Sequence, residues 1–196
     1  MTEINQEFLF RVLFASTYAA FAIVRVRFRL RDAKERGDRQ PLGPWGVLIS
    51  ALIICLFASI GLYLISPDWY AATQLDLPAW LRWLGLGAAL ASTVLVAMIH
   101  RTLGRMYSAS LTIREGHRIV TSGPYRRIRH PMYTILYVFG VSMALLSANG
   151  PMLMLSALII LPLRMIAIRE ESMLTTRFGD RYRAYMERTG RFLPKL

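Results

Sequence analysis

The chain has 196 residues, of which 55% are hydrophobic and 18% are charged. Soluble domains carry about 25% charged residues, so this composition favours a membrane protein. The net charge of +12 is divided among segments that separate apolar stretches, which indicates contact with a membrane surface rather than with nucleic acid. The lone Cys55 excludes an intrachain disulfide, and the three histidines show no metal-ligand spacing, so no metal site is predicted.

Five apolar segments are long enough to cross a bilayer, which takes roughly 20 residues per helix. They are residues 8–24, 45–65, 80–99, 131–146 and 152–168. The first is the weakest because Arg11 lies near its start, and the last two are short. The sequence from Ser147 to Pro151 is a strong turn signal, so the last two spans are expected to form a tight helical hairpin. We therefore predict an all-α integral membrane protein with five transmembrane helices, a cytoplasmic loop region and a C-terminal helix.

The basic residues predict the orientation. Every Lys and Arg except Arg11 and Arg82 lies after the first span, after the third span or from Arg164 onward. With five spans these three regions share one side of the membrane, whereas residues 66–78 on the other side contain two Asp and no Lys or Arg. By the positive-inside rule the N-terminus is expected outside and the C-terminus in the cytoplasm.

Residues 121–133, Thr-Ser-Gly-Pro-Tyr-Arg-Arg-Ile-Arg-His-Pro-Met-Tyr, concentrate polar side chains before the fourth span. Pro131 is favourable at a first helical position, and the N–H groups of Met132 and Tyr133 would then face the water layer and attract anions. The preceding Gly-Pro turn would fold Tyr125 and His130 around the same point. An ordinary interfacial loop, with arginines on lipid phosphates, is an equal alternative on composition alone.

Two adjacent acids, Glu170 and Glu171, are expected to end the last apolar helix, and the hairpin would return them close to His130. On a helix they point about 100° apart, so one could hold a cationic ligand and the other a local arginine. Pairing with Arg164, Arg169 or the basic loops is the simpler interpretation from spacing alone. Arg164, which follows a wholly apolar stretch, either snorkels to the surface or holds an anionic substrate at membrane depth.

Several of these residues carry a family resemblance. The sequence resembles the isoprenylcysteine carboxyl methyltransferase family, whose wider relatives include the phospholipid N-methyltransferases. The resemblance lies in residues 114–125 and 129–133, in Glu170, Glu171, Leu174, Phe178, Gly179, Tyr182 and Tyr185, and in Pro194. It covers roughly the chain from residue 103 onward, and the size is similar to that of compact prokaryotic members.

The resemblance implies methyl transfer from S-adenosylmethionine, giving S-adenosylhomocysteine, to the carboxylate of an isoprenylcysteine-like lipidated substrate in the cytoplasmic membrane of a prokaryote. Residues 103–196 would be the catalytic region and residues 1–102 an accessory unit of three spans. The implied cofactor-binding residues are His117, Arg118, Ile119, Val120, Tyr125, His130, Pro131, Met132, Tyr133 and Glu170. The implied catalytic residues are Arg164, Arg169 and Glu171. Neither arginine matches the family spacing cleanly, and Thr134 stands where glycine is common.

Two alternatives to this function remain open at this stage: a lipid amine as the methyl acceptor, and a membrane module without enzymatic activity. An ionised carboxylate acceptor needs no general base, so catalysis would be mainly positioning, which can supply about 7–11 kcal/mol. A phospholipid or other lipophilic amine would need a base, and the presence of Arg164 and Arg169 favours the carboxylate. The second alternative is a non-enzymatic basic membrane module, which would bind no cofactor.

Overall fold

The fold is a bundle of helices in the part of the chain that the computed structural model describes, residues 3–32, 43–103 and 119–195. The helices are α1 Glu3–Asp32, α2 Gly43–Ile65, α3 Pro67–Thr73, α4 Ala79–Leu103, α5 Pro131–Ser147, α6 Gly150–Leu158, α7 Ile160–Phe178 and α8 Asp180–Arg188, with a 3₁₀ turn at Gly123–Arg126. No β-strand occurs within those three ranges. The predicted all-α fold and its C-terminal helix are confirmed.

Within these described ranges, four helical stretches have the length and composition to cross a membrane: Gln6–Phe28, Gly43–Ile65, Ala79–Thr102 and Gly150–Phe178. The helix Pro131–Ser147 is apolar but has only 17 residues. At 1.5 Å per residue it is about 25 Å long, so even an upright helix is a few ångströms shorter than a hydrocarbon core of about 30 Å. The chain is therefore an integral membrane protein, and the fourth predicted span, residues 131–146, corresponds to this shorter apolar helix.

Two clusters show how the spans run. At one end, the Arg82 side chain donates to Glu7 Oε2 at 2.8 Å and to the Leu146 carbonyl at 3.0 Å, which joins the starts of α1 and α4 to the end of α5. At the other end, Nη1 of Arg25 lies 3.2 Å from Nε2 of His100, which joins the ends of α1 and α4. We call the first the Arg82 end. We call the second the His130 end, because α5 begins there, directly after His130. Helices α1 and α4 are therefore parallel, and α5 is antiparallel to both.

Aromatic side chains fill the centre of the bundle. Phe21 and Phe139 stack with ring centroids 3.6 Å apart, and Phe14 meets Tyr63 edge to face at 4.9 Å. Many other large apolar side chains of α1, α2 and α4 are exposed, for example Val47, which is 73% exposed. A large exposed apolar surface marks contact with lipid in a membrane helix.

The predicted helical hairpin is confirmed between α5 and α6. Helix α5 ends at Ser147 and α6 begins at Gly150, with Ala148 in the left-handed region at φ 49°. The Asn149 side chain accepts a hydrogen bond from the Met152 N–H at 3.0 Å and donates to Thr73 Oγ1 at 2.8 Å. The hydrogen bond to Thr73 connects the hairpin turn to α3, and the hydrogen bond from Met152 connects it to α6.

The predicted end of the last apolar helix is wrong. Glu170 and Glu171 lie inside α7, which continues for two more turns to Phe178. The apolar run stops where the chain leaves the hydrocarbon, but the residues that follow still favour a helix. The helix ends only at Gly179, whose φ of 56° and ψ of −131° suit glycine. In the same way α1 extends to Asp32, beyond the apolar segment that ends near residue 24.

Replacing Gly179 by alanine is expected to lower the free energy of unfolding by about 1–2 kcal/mol, because an L-residue is strained at this backbone conformation. Gly87 in α4 offers a matched control, since a Cβ at either glycine would meet nothing within 4 Å. Gly87→Ala should be neutral or stabilising by up to about 1 kcal/mol, as expected in a helix interior. Thermal unfolding of both variants in one detergent measures the difference, and equal melting temperatures would show that the Gly179 backbone is unstrained.

Candidate active site at the His130 end

The site begins where the loop of residues 119–130 enters α5. Pro131 is the first helical residue, as predicted, and His130 is the N-cap. The loop turns at Gly123, with φ 56°, where a Cβ would lie 3.0 Å from the Thr102 side chain at the end of α4. The close approach of α4 therefore requires glycine at this turn.

The chain near the C-terminus covers the start of α5. We call residues 189–192 the C-terminal strap. The Gly190 N–H donates to the Arg127 carbonyl at 3.0 Å, and the N–H of His130 donates to the Arg191 carbonyl at 3.0 Å. Further on, Thr134 Oγ1 donates to the Phe192 carbonyl at 2.8 Å. The helix start is therefore covered by protein, and Pro131 and Met132 are buried, whereas the sequence predicted an end open to water.

Both acids lie beside His130, as the predicted hairpin required. Nδ1 of His130 is 3.5 Å from Glu170 Oε2, and its Nε2 is 3.2 Å from Glu171 Oε1. The Tyr133 hydroxyl donates to Glu170 Oε2 at 3.0 Å. The imidazole and the Tyr133 ring are parallel, with centroids 5.3 Å apart. One face of the site is thus an aromatic pair, and one edge is the Glu170 carboxylate.

The two acids have different surroundings. The Glu171 side chain is 7% exposed and accepts from Arg129 Nε at 2.8 Å and from Arg191 Nη2 at 2.7 Å. The Glu170 side chain is 35% exposed. A buried carboxylate must be paired, whereas a half-exposed one keeps lone pairs for a ligand. This arrangement makes Glu170 the acid that a ligand can reach.

The charges at the site favour a protonated histidine. Burial alone would lower the pKa of His130, but its hydrogen bonds to Glu170 and Glu171 and their negative charges raise the pKa above its ordinary value. The hydrogen bonds to Glu171 likewise raise the pKa of Arg191. Burial raises the pKa of Tyr185 to about 12, so that hydroxyl stays protonated and donates to the Tyr125 carbonyl at 2.6 Å. The site therefore combines fixed cations with one accessible carboxylate.

The raised pKa of His130 predicts a pH-dependent contribution to stability. Because the folded state favours the imidazolium, the contribution is complete below the unfolded pKa of about 6.5 and is lost as the pH rises through the higher folded value. The melting temperature of His130→Gln should therefore lie furthest below that of the wild type near pH 6, and the gap should narrow toward pH 9. Thermal scans across this range decide the point, since a gap that widens with pH would mean that His130 is neutral in the folded protein.

The other predicted site residues are placed as follows. Ile119, Val120 and Tyr125 are half-buried in the loop that leads to His130, whereas His117 and Arg118 lie outside the described residues. Arg164 is exposed, almost two turns before Glu170 on α7 and therefore deeper in the membrane. Arg169 is also exposed, and its Nη1 lies 2.5 Å from the position that a Cβ on Gly43 would take, so it packs against the start of α2. The structure thus brings His130, Tyr133 and both acids together and leaves Arg164 apart.

Sequence reasoning missed two arginines that complete the site. Arg129 donates to Glu171 and to the Met186 carbonyl at 3.0 Å, and it also donates to the Thr189 carbonyl. Arg191 binds the same carboxylate from the C-terminal strap. A signal was present, because an acid at a membrane boundary requires a cationic partner. The basic residues around it were too numerous for the sequence to identify that partner.

Residues 83–176 match the family model described as the Isoprenylcysteine carboxyl methyltransferase (ICMT) family. Among curated proteins, the chain is 26% identical over 159 residues to the nickel-cobalt-cadmium resistance protein NccN of Alcaligenes xylosoxydans xylosoxydans. The aligned region covers 81% of this chain and 66% of NccN. Among solved structures, the fold is similar to that of the eukaryotic intramembrane Ras methyltransferase ICMT. That comparison has a TM-score of 0.54 at 22% identity and covers 93% of this chain and 62% of the other.

The chain thus spans a little under two thirds of the length of either relative. The family match contains His130, Tyr133 and both acids but stops before the C-terminal strap. By this match, residues 83–176, a little under half of the chain, are similar to the isoprenylcysteine carboxyl methyltransferase family.

Proposed function

We propose that the chain is an integral-membrane methyltransferase that uses S-adenosylmethionine to methylate the carboxylate of an isoprenylcysteine-like lipidated acceptor. The observation that carries the proposal is the half-exposed Glu170 carboxylate beside the parallel His130 and Tyr133 rings, at the start of a membrane helix. The family match over the same residues supports the reaction class. The chain spans a little under two thirds of the length of its relatives, so we propose the acceptor from the chemistry of the site.

The side chains at the His130 end fit this cofactor. Its amino group is a cation that an accessible carboxylate such as Glu170 can bind. Its sulfonium is a second cation that the face of an aromatic ring such as Tyr133 can bind. When bound, the cofactor would supply an electrophilic methyl group, and these residues would hold and orient it.

An ionised carboxylate acceptor explains why no catalytic base is needed. Such a group is already a nucleophile at neutral pH, so the protein has to bind it, orient it and exclude water. Arg169 is the better placed of the two candidate arginines, because it adjoins Glu170 in α7 and packs against the start of α2. Arg164 lies deeper, where it could meet the lipid chain or snorkel toward the surface.

The proposed orientation places the His130 end in the cytoplasm of a prokaryotic cell. Exposed arginines lie at that end, including Arg27, Arg101 and Arg127, whereas the connection at the Arg82 end exposes Asp68 and Asp76. The positive-inside rule then gives a cytoplasmic site. Reporter fusions after Lys195 test this: a green fluorescent protein should fluoresce and an alkaline phosphatase should be inactive, and the reverse pattern would contradict the orientation.

The metal resistance named for NccN does not supply a function for this chain. Within residues 3–32, 43–103 and 119–195, no three His, Cys, Asp or Glu side chains are grouped to hold a metal ion. The residues that the structure describes therefore contain no group of metal ligands that would connect this chain with the metal resistance of NccN.

The reaction is tested with radiolabelled S-adenosylmethionine and a prenylated cysteine analogue in proteoliposomes. We expect base-labile label on the analogue, and none on a matched analogue whose carboxylate is converted to an amide. Label that appears instead in N-methylated lipid head groups would indicate the amine acceptor. Failure to label any lipid acceptor would contradict methyl transfer.

A further inference from the structure

We propose that Glu171 is a positioning residue and that the C-terminal strap is a component of the ligand site. In this arrangement Arg129 and Arg191 hold the Glu171 carboxylate, and Glu171 holds Nε2 of His130. His130 and Tyr133 in turn hold the Glu170 carboxylate, which is presented to the ligand. The identity of that ligand rests on the proposed function, but the arrangement itself does not.

The carboxylate of Glu171 has no capacity left for a substrate. Its Oε1 accepts from Arg129 Nε at 2.8 Å and lies 3.2 Å from His130 Nε2. Its Oε2 accepts from Arg191 Nη2 at 2.7 Å, and Nε of Arg191 lies 3.1 Å from both oxygens. A carboxylate offers about four lone-pair sites, and these donors use them. The sequence prediction made Glu171 catalytic, but a saturated and buried acid does not reach reacting atoms.

Arg129 connects the strap to the helix that carries the acids. Its Nε binds Glu171 in α7, while its Nη1 donates to the carbonyls of Met186 and Thr189 at the end of α8. The backbone is joined at the same place, because the Arg129 N–H donates to the Gly190 carbonyl at 2.8 Å. Three separate parts of the chain, the loop before α5, α7 and the strap, therefore meet at one buried carboxylate.

We call Arg129, Glu171 and Arg191 the clamp, and it fixes the orientation of the His130 ring. With Nε2 directed to Glu171, Nδ1 faces Glu170 at 3.5 Å and the ring lies parallel to Tyr133. A displacement of about 1 Å in a positioning group can cost about 100-fold in rate. Loss of the clamp is therefore expected to move the His130 ring and, with it, the Glu170 carboxylate, without removing any group that touches the ligand.

The test compares Arg191→Gln and Glu171→Gln with the conservative Arg191→Lys and with Arg188→Gln as control. Arg188 is exposed and donates only to Ala184 in its own helix among the described contacts. In ligand-free protein, Arg191→Gln should speed hydrogen exchange of the Gly190 and His130 amides at least 10-fold and split or broaden the imidazole NMR signals of His130. Arg191→Lys should lie between Arg191→Gln and the wild type, and Arg188→Gln should match the wild type.

Kinetics distinguish positioning from chemistry. Arg191→Gln and Glu171→Gln should raise KM for S-adenosylmethionine by about 10- to 100-fold and leave KM for the lipid acceptor unchanged. The proposal is overturned if amide exchange and the His130 signals stay as in the wild type, or if Glu171→Gln lowers kcat alone. If the wild type binds no cofactor, the proposed function fails, while the exchange and NMR comparisons still decide the role of the clamp.

Discussion

Glu170→Gln is expected to weaken binding of S-adenosylmethionine and its demethylated product by about 10- to 100-fold, with little change in melting temperature. The substitution keeps the size of the side chain and removes its charge, and a hydrogen bond to a charged group contributes about 1.5–3 kcal/mol. Glu170 is the half-exposed acid, whereas the buried Glu171 accounts for the arginine contacts. Removing the charge of Glu170 therefore weakens ligand binding more than it lowers the stability of the fold.

Glu187→Gln is the matched control for this prediction. Glu187 is an exposed acid on α8, on the same side of the membrane in the proposed topology. Calorimetric titration of each variant with S-adenosylhomocysteine should show wild-type affinity for Glu187→Gln and a large loss for Glu170→Gln. Equal affinities in the two variants would remove Glu170 from the cofactor site.

Arg82→Met is expected to lower the free energy of unfolding by about 2–4 kcal/mol, because it leaves buried partners unpaired. The Arg82 side chain is 8% exposed and binds Glu7 at 2.8 Å and the Leu146 carbonyl at 3.0 Å. Its guanidinium also lies 3.8 Å from the Phe10 ring centroid. The substitution thus removes contacts that join α1, α4 and α5 at the end of the molecule opposite the site.

Two comparisons make the Arg82 prediction specific. Arg11→Met should cost less than about 1 kcal/mol, because Arg11 is more exposed and its Nε lies 3.7 Å from Glu7. The double variant Glu7→Gln with Arg82→Met should recover part of the loss, since it removes both charges. Denaturant or thermal unfolding in detergent gives the three values. A loss for Arg82→Met no larger than that for Arg11→Met would mean that the buried pair does not hold the helices together.

The membrane fold could be predicted because its main signals are local. The lengths of the apolar segments predicted the spans. The sequence from Ser147 to Pro151 predicted the hairpin turn, which the structure places between α5 and α6. Helix ends beyond the bilayer were harder, because no apolar boundary marks them. The end of α7 depends on Gly179, a single backbone conformation that the sequence pattern did not distinguish from other polar positions.

The site was only partly predictable for a different reason. The proximity of His130 to Glu170 and Glu171 follows from an antiparallel hairpin, so topology was sufficient. The pairing of Glu171 with Arg191 depends on the chain reversing after α8 and returning to the start of α5, which no local pattern indicates. The same strap covers the helix start that the sequence placed in water.

A calorimetric titration of the wild-type protein in lipid nanodiscs with S-adenosylhomocysteine addresses the proposed site without any assumption about the acceptor. We predict saturable binding with one ligand per chain, which Glu170→Gln weakens at least 10-fold while Glu187→Gln leaves it unchanged. The absence of saturable binding by a folded wild-type protein would contradict a cofactor pocket at the His130 end, and with it the assignment of methyl transfer.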